Sequence, residues 1–428
     1  MRKLLGIVAV SVLAVAGASA CTTTSSKKDS GGGGGNATLS VWSWRPEDAA
    51  TYRQIFAKFE QSHKGIKIDF KPYKATDYNT ILSTGLSQAG GPDVMQLRSY
   101  GLLQPLVNSS RLVPLDGKVS GLTNFDANAL AGAKGKTDGK VYGVPLEMST
   151  FQVYYNKDIF TKHNLQPPTS WDQMINDAQQ LKADGITPFA TSGKDAWLLP
   201  LYDDLFAATR YGGPDFEKKV LKGQAQFTDP NYSAALDVLN QLKDYFPKDM
   251  MGLAETDVQT LFATGKAAMI PEGSFALNPI LAINPKLNLG TFNAPPAPDA
   301  VTNHPLQVGW VDASYGLNAK SKHQKEALQL LNWMATPEFG QLVADDLKQV
   351  SLVNGVTSSN ELLKQMAADY RANPTPYMML VDFRYGTPLG SDLAATGLQN
   401  MLLGKQNAQA VASDIQKGIS QWFKPTGG

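Results

Sequence analysis

Apolar and polar residues alternate from Ala37 to Trp44 (ATLSVWSW), a β-branched and aromatic stretch that predicts a first strand. The rhythm then changes. After Pro46-Glu47-Asp48, Tyr52, Ile55, Phe56 and Phe59 recur at i, i+3, i+4 and i+7, which predicts an amphipathic helix. Ile66 to Phe70 (IKIDF) returns to alternation as a second strand. Tyr78 to Gln88 reads as a helix stopped by Gly90-Gly91-Pro92, and Asp93 to Leu97 as a buried third strand. This order predicts an α/β domain with a parallel sheet wound by helices. Ligands of such sheets sit beyond the C-terminal strand ends, which places Trp42 to Arg45 and Arg98 to Tyr100 at the mouth of a cleft.

A second block begins near Val141-Tyr142-Gly143-Val144-Pro145, with a strand over Phe151 to Tyr155. Ser170-Trp171-Asp172-Gln173 has the spacing of a capping box. It opens a helix with Trp171, Met174, Ile175, Ala178 and Leu181 inward, ended by Gly185. Further helices are expected over 198–211, 230–244 and 255–265, and a short strand over Ala267 to Ile270. Gln307 to Gly316 predicts a strand, and 322–335 a helix burying Ala327, Leu330, Leu331 and Met334. Val411, Ile415, Ile419 and Trp422 share one face of a helical tail. No repeat recurs, so neither a solenoid nor a regular eight-fold barrel is indicated.

The N-terminal end follows a different pattern. Arg2 and Lys3 precede an apolar run from Leu4 to Ala16, too short to span a bilayer comfortably, and Ala18-Ser19-Ala20 leads into Cys21. Thr22 to Gly35 is polar and ends in five consecutive glycines, the composition of a flexible tether. Residues 1–20 therefore read as an export signal and 21–37 as a linker. Without the signal about 400 residues remain, room for two domains with real cores. Charged residues are sparse at 18% and the formal charge is +1, which falls by two with the loss of Arg2 and Lys3. No global field then steers the protein to nucleic acid or anionic lipid. Cys21 is the only cysteine, so no internal disulfide supports the fold.

Seven segments in order carry a resemblance. They are VWSW (41–44), GGPDV (90–94), DGKVYGVPLE (138–147), VYYNKDIF (153–160), PPTSWDQM (167–174) with its following LKADGITPFA, FATGKAAM (262–269), and QVGW with the AKS helix start (307–321). Together the chain resembles bacterial extracellular solute-binding proteins of the sugar-specific, maltose-binding-protein-like group that feed ATP-driven (ABC) importers. The resemblance implies an α/β periplasmic-binding-protein fold of two lobes, with a hinge and an interlobe ligand cleft. It divides the chain into 38–147 with 308–352, and 148–307 with 353–428. It implies a saccharide ligand, membrane permease subunits as partners, no cofactor, no nucleic acid and a monomer. The N-terminus resembles lipoprotein signals, in which a small residue precedes a lipid-modified cysteine. Lipid on Cys21 would hold the protein at the outer face of the cytoplasmic membrane. Ala18 stands where that pattern usually has leucine, and Ala18-Ser19-Ala20 also fits ordinary cleavage, which would give a secreted or periplasmic protein.

A saccharide presents hydroxyls and a flat C–H face, so its site needs aromatic platforms beside charged and amide side chains. Trp44 and Arg45 follow the first strand, and Arg98 and Tyr100 end the third. Plain sheet packing is the competing reading for Trp42 and Trp44, and a solvated loop for Arg98 and Tyr100. By the resemblance, Glu147 at the lobe crossing makes a polar contact, Trp197 offers an aromatic ring, and Trp310 is a stacking platform with Asp312 nearby. Glu272 replaces the family's usual small or apolar residue, and Arg384 lies in a loop (DFRYGTP) that adds a candidate. Tyr154 and Asn156 read as strand-end supports, Trp171 as core, and Asp203 and Asp204 as helix surface.

Chemistry beyond binding finds little footing. His63, His163, His304 and His323 have no metal-ligand spacing, and the GK within Phe262 to Met269 lacks the rest of a phosphate-loop pattern. The expected function is a non-enzymatic sugar receptor without metal. Two rivals stand beside it: a secreted glycoside hydrolase, which needs a facing carboxyl pair, and a receptor for a charged solute such as a polyamine or phosphate.

Overall fold

The computed structural model describes residues 36–88 and 90–426. The export signal, Cys21 and the linker as far as Gly35 lie outside the described residues. Ten strands form one mixed sheet: β1 (Ala37–Ser43), β2 (Ile66–Pro72), β3 (Val94–Leu97), β4 (Val144–Asn156), β5 (Thr187–Phe189), β6 (Ala267–Gly273), β7 (Leu289–Phe292), β8 (Gln307–Leu317), β9 (Val350–Ser351) and β10 (Pro374–Pro376). The order is β2-β1-β3-β8-β4-β6-β5, with β7 and β9 on β4 and β10 on β8.

The expected strand–helix–strand start forms, and β1 pairs in parallel with both β2 and β3. The sheet as a whole is not the parallel one expected. β8 enters beside β3 running the opposite way, and β4 pairs antiparallel with β8 and with β6. The reason is topological. β3 and β8 are far apart in sequence, so their direction is set by a long excursion and not by a local crossover. β4 also begins earlier than its apolar core suggested, at Val144.

Two hydrophobic cores flank this sheet. The first gathers Tyr52, Ile55, Phe56 and Phe59 of the helix Ala49–Ser62 with β1, β3 and the inward residues of Gln324–Met334. The second gathers β6 with the helices Leu199–Tyr211, Pro230–Leu242, Gly390–Leu402 and Ala408–Ile419. β4 and β8 serve both. Val144 and Leu146 belong to the first core and Phe151, Val153 and Tyr154 to the second; Ala313, Tyr315 and Leu317 belong to the first and Val308, Trp310 and Val311 to the second. The changeover falls at a polar belt where Glu147 is opposite Asp312 and Ser149 is opposite Trp310.

Local signals were mostly obeyed. Ser170 accepts from the Gln173 N–H at 3.2 Å and caps the helix Trp171–Ala183, but the Gln173 side chain reaches Thr169 N and not Ser170, so half the capping box is shifted by one residue. Gly212, at φ 99°, ends Leu199–Tyr211 in the left-handed conformation that suits glycine. The helix Ala408–Ile419 stops before Trp422, whose indole N–H donates to the Pro388 carbonyl at 2.8 Å.

One expectation fails outright. Asp203 and Asp204 are not surface residues, because the helix Leu199–Tyr211 is buried along its whole length, Arg210 excepted. The Tyr211 hydroxyl donates to Asp204 Oδ1 at 2.9 Å, and burial pushes the Asp204 carboxyl up to about 7.

Candidate ligand site

The end of β1 delivers Trp44 and Arg45 into the region where the two cores meet. Gln96 anchors that end, its Oε1 accepting from Ser43 Oγ at 2.6 Å and from Trp44 N at 3.3 Å. Trp44 is only 5% exposed. The Arg98 guanidinium lies 4.0 Å above its ring, and Tyr78 meets it edge-on at 5.4 Å. One face of Trp44 is thus already occupied by a cation. Trp42 packs on Tyr73 at 5.0 Å and donates to Ser40, the plain packing role expected for one of the pair.

Arg45 is buried among acids. It pairs with Glu47 at 2.9 Å and Asp48 at 2.7 Å, and its Nη2 donates to the Phe275 carbonyl at 3.0 Å. Burial alone would lower its pKa, but the carboxylates of Asp48, Glu47 and Glu147 outweigh burial and raise it. Asn278 Nδ2 donates to Asp48 Oδ1 at 2.8 Å. The end of β1 is therefore tied twice to the turn and helix that follow β6.

Glu147 is 3% exposed and its Oε2 has no hydrogen-bond partner among the described residues. Burial, then the facing Asp312, push its carboxyl well above the usual range, while Arg45 opposes them. Arg98 donates to the Ala75 carbonyl at 3.1 Å. Burial lowers its guanidinium to about 10, Asp312 opposes that, and Arg384 and Arg45 lower it further. Two cations and three acids (Arg45, Arg98, Asp48, Glu147, Asp312) thus converge on the polar belt, with Arg384 close enough to act on Arg98. Tyr100, at φ 57°, sends its hydroxyl to accept from Val311 N at 3.3 Å, so it braces β8. Gly101, next in the chain, lies so close to the backbone of Arg384 that any side chain would clash.

Beyond the belt lies a cavity of about 350 Å³, walled by Trp197, Tyr377, Arg384, Ser391 and Asp392 among others. Arg384 Nε donates to Ser391 Oγ at 2.8 Å, which aims the guanidinium along the helix Gly390–Leu402. Trp197 is half-buried and its ring sits 6.3 Å from Phe275. Trp310 is 4% exposed, packs edge-on against Tyr377 at 5.7 Å, and its indole N–H is unpartnered among the described residues.

Glu272 departs from the expectation of a strand-end residue open to a ligand. It is fully buried, accepts from Gly273 N at 2.9 Å, and does not line the cavity. Burial, then Glu255, raise its pKa. Glu255 itself is pushed up to about 7 by burial.

The structure thus brings together Trp44, Arg45, Arg98, Glu147 and Asp312 at the belt, and Trp197 and Arg384 at the cavity, with Tyr100 and Trp310 between them. Phe275, Asn278, Tyr377 and Asp392 were missed. Phe275 lies three residues after Glu272 in a segment whose only distinctive sequence feature is that charge, and Tyr377 follows a three-residue strand that leaves no alternating pattern. Among the described residues no group of His, Cys, Asp and Glu is placed to hold a metal ion, and no helix is long and apolar enough to cross a membrane.

A mixed sheet whose two central strands serve two cores, with rings and paired charges collected at the crossing, defines a two-lobe α/β solute-binding fold of the periplasmic type. The chain belongs to the bacterial extracellular solute-binding protein family, whose profile matches residues 43–341. It is 30% identical over 402 residues to the multiple sugar-binding protein of Streptococcus mutans, covering 91% of this chain and 90% of that one. It is 23% identical to the melibiose/raffinose/stachyose-binding protein MelE of Bacillus subtilis over 75% of each chain. The solved structure of the solute-binding protein RafE in complex with raffinose superposes with a TM-score of 0.74 at 25% identity, covering 90% of this chain and 99% of that one.

Proposed function

We propose that this protein is the carbohydrate receptor of an ATP-driven importer and binds a short neutral oligosaccharide between its lobes without breaking a bond. The observation that carries this reading is the cavity at Trp197, Tyr377, Arg384 and Asp392. It combines aromatic rings with hydrogen-bonding charges, the pairing a sugar's C–H face and hydroxyls require. The sugar-binding relatives support it, and the raffinose-type sugars named for two of them are the first ligands to test. Trp44, Arg45, Arg98, Tyr100, Glu147, Trp310 and Asp312 act from the opposite wall and the floor, some touching ligand and some, as with Arg98 over Trp44, holding the wall in place, while Glu272 stays sealed within β6.

The lobes are 38–147 with 312–352, and 148–311 with 353–428. The return into the first lobe falls at Asp312 and not at residue 308, because Val308, Trp310 and Val311 pack in the second core, and the hinge lies in β4 and β8 at the belt. Ligand that touches both lobes favours the closed form by its differential affinity. The closed form docks on the membrane permease subunits. Cys21 carries lipid, and the glycine-rich linker keeps the receptor close to that permease at the outer face of the cytoplasmic membrane; with two acyl chains or more such an anchor is stable.

A thermal-shift and tryptophan-fluorescence screen across mono- and oligosaccharides, polyamines and phosphate tests the reading. A sugar present at 100 times its Kd adds about 2.7 kcal/mol of stability. Stabilisation by a charged solute and by no saccharide refutes the proposal, and saccharide turnover refutes its non-enzymatic part.

A further inference from the structure

A second hollow, of about 520 Å³, lies on the other flank of the helix Gly390–Leu402, between that helix and Ala408–Ile419. Asp392 and Thr396 line both hollows. They are four residues apart on one helix, hence neighbours on its surface, and both hollows reach them. The inner cavity, at about 350 Å³, stands at the low end of the roughly 300–1000 Å³ usual for small-molecule sites. A chain of several sugar rings anchored there has to continue elsewhere.

The outer hollow has the chemistry to receive it. Leu389 and Leu393 supply an apolar side, suited to the C–H face of a ring. Asn400 and Gln421 line it with amides that make no side-chain hydrogen bond among the described residues, and Lys417 is in no ion pair there. Asp414 uses one oxygen to accept from Gln406 at 2.8 Å, and the other has no hydrogen-bond partner among the described residues. The floor stays low because Gly397 and Gly418, pressed against Val411 and Leu393, carry no side chain. No net cluster of one charge is present, which fits a neutral hydroxyl-rich ligand better than an ionic one.

We propose that this hollow is an outer saccharide subsite. It takes the distal rings of an oligosaccharide whose proximal end sits at Trp197 and Arg384, with Asp392 and Thr396 beneath the linkage between the two. The proposal rests on the sugar-receptor reading above.

Calorimetric titration of the full chain with melibiose, raffinose, stachyose and verbascose, and in parallel with maltose to maltohexaose, tests it. Asn400→Ala/Gln421→Ala is titrated alongside; both sites are at least partly exposed, and an unchanged melting temperature checks that the variant folds. In the series that binds, affinity rises tenfold or more between the shortest and the longest ligand, and the double variant abolishes that gain while leaving the shortest ligand's Kd unchanged. Equal affinity at every length, or a loss in the variant that is the same for the shortest and longest ligand, overturns the outer subsite and leaves the sugar-receptor reading standing. Failure of every saccharide to bind overturns both.

Discussion

Arg45 donates from Nη2 to the carbonyl oxygen of Phe275 at 3.0 Å, joining the end of β1, in the first core, to the turn after β6, in the second. The same guanidinium is held by Asp48, which has no exposed side-chain surface and in turn accepts from Asn278. Removing one partner of a buried pair typically costs about 3–5 kcal/mol, because the other charge is left uncompensated. Arg45→Ala is therefore expected to lower the unfolding free energy by about 3–5 kcal/mol, seen as a lower urea midpoint at unchanged slope. Asn278→Ala, which removes one hydrogen bond to a charged group, is expected to cost about 1.5–3 kcal/mol. Equal midpoints for wild type and Arg45→Ala contradict the tie.

Trp197 and Trp310 are expected to separate binding from folding. Trp197 is half-buried at the cavity wall, so Trp197→Ala should fold normally and weaken sugar binding by about 1–3 kcal/mol, roughly 5- to 150-fold in Kd. Trp310 is enclosed against Tyr377, and its replacement by Ala should cost about 3–5 kcal/mol of stability in addition to any loss of binding. Denaturant titration together with calorimetry on both variants checks this. A Trp197→Ala protein that binds as wild type removes Trp197 from the site.

The buried carboxyl of Asp204 predicts a pH dependence. Its folded-state value of about 7 lies above the ordinary 3.8, so between those limits the folded protein holds a proton that the unfolded chain has released. The contribution to stability is complete below about pH 4 and is lost as pH rises towards 7. Glu255, also near 7, acts in the same direction. Asp204→Asn keeps the acceptor for Tyr211 and removes the titration. Its stability should fall less steeply than that of wild type between pH 4 and 7, and parallel profiles contradict the assignment.

Cys21→Ser in the full chain is expected to move the protein from the membrane fraction into the medium. Unchanged retention after that substitution contradicts the lipid anchor.

The helix Ala49–Ser62 was legible because its four apolar positions need only local spacing, and the same holds for Trp171–Ala183 with its Ser170 cap. Strand-end logic pointed to Trp44 and Arg98, and the family resemblance to Glu147, which lies inside β4. It did not reveal that Glu147 faces Asp312, because that neighbourhood depends on antiparallel pairing between strands far apart in sequence. Nor did it reveal that Arg98 covers Trp44, a contact between side chains of separate strands. Asp203 and Asp204 misled for the opposite reason. Two adjacent acids on a helix ordinarily mark its wet face, and only the surrounding helices bury them. Phe275 and Tyr377 carry no local signal that sets them apart from other aromatic residues, and their candidate role depends on where the cavity lies.

Isothermal titration of raffinose and stachyose into wild-type protein and into Trp197→Ala tests the central claim most directly. The account predicts saturable, one-to-one binding by wild type with no turnover of the sugar, and a Kd at least about fivefold weaker in the variant. No heat of binding from any neutral saccharide, or equal affinity in the two proteins, would contradict it.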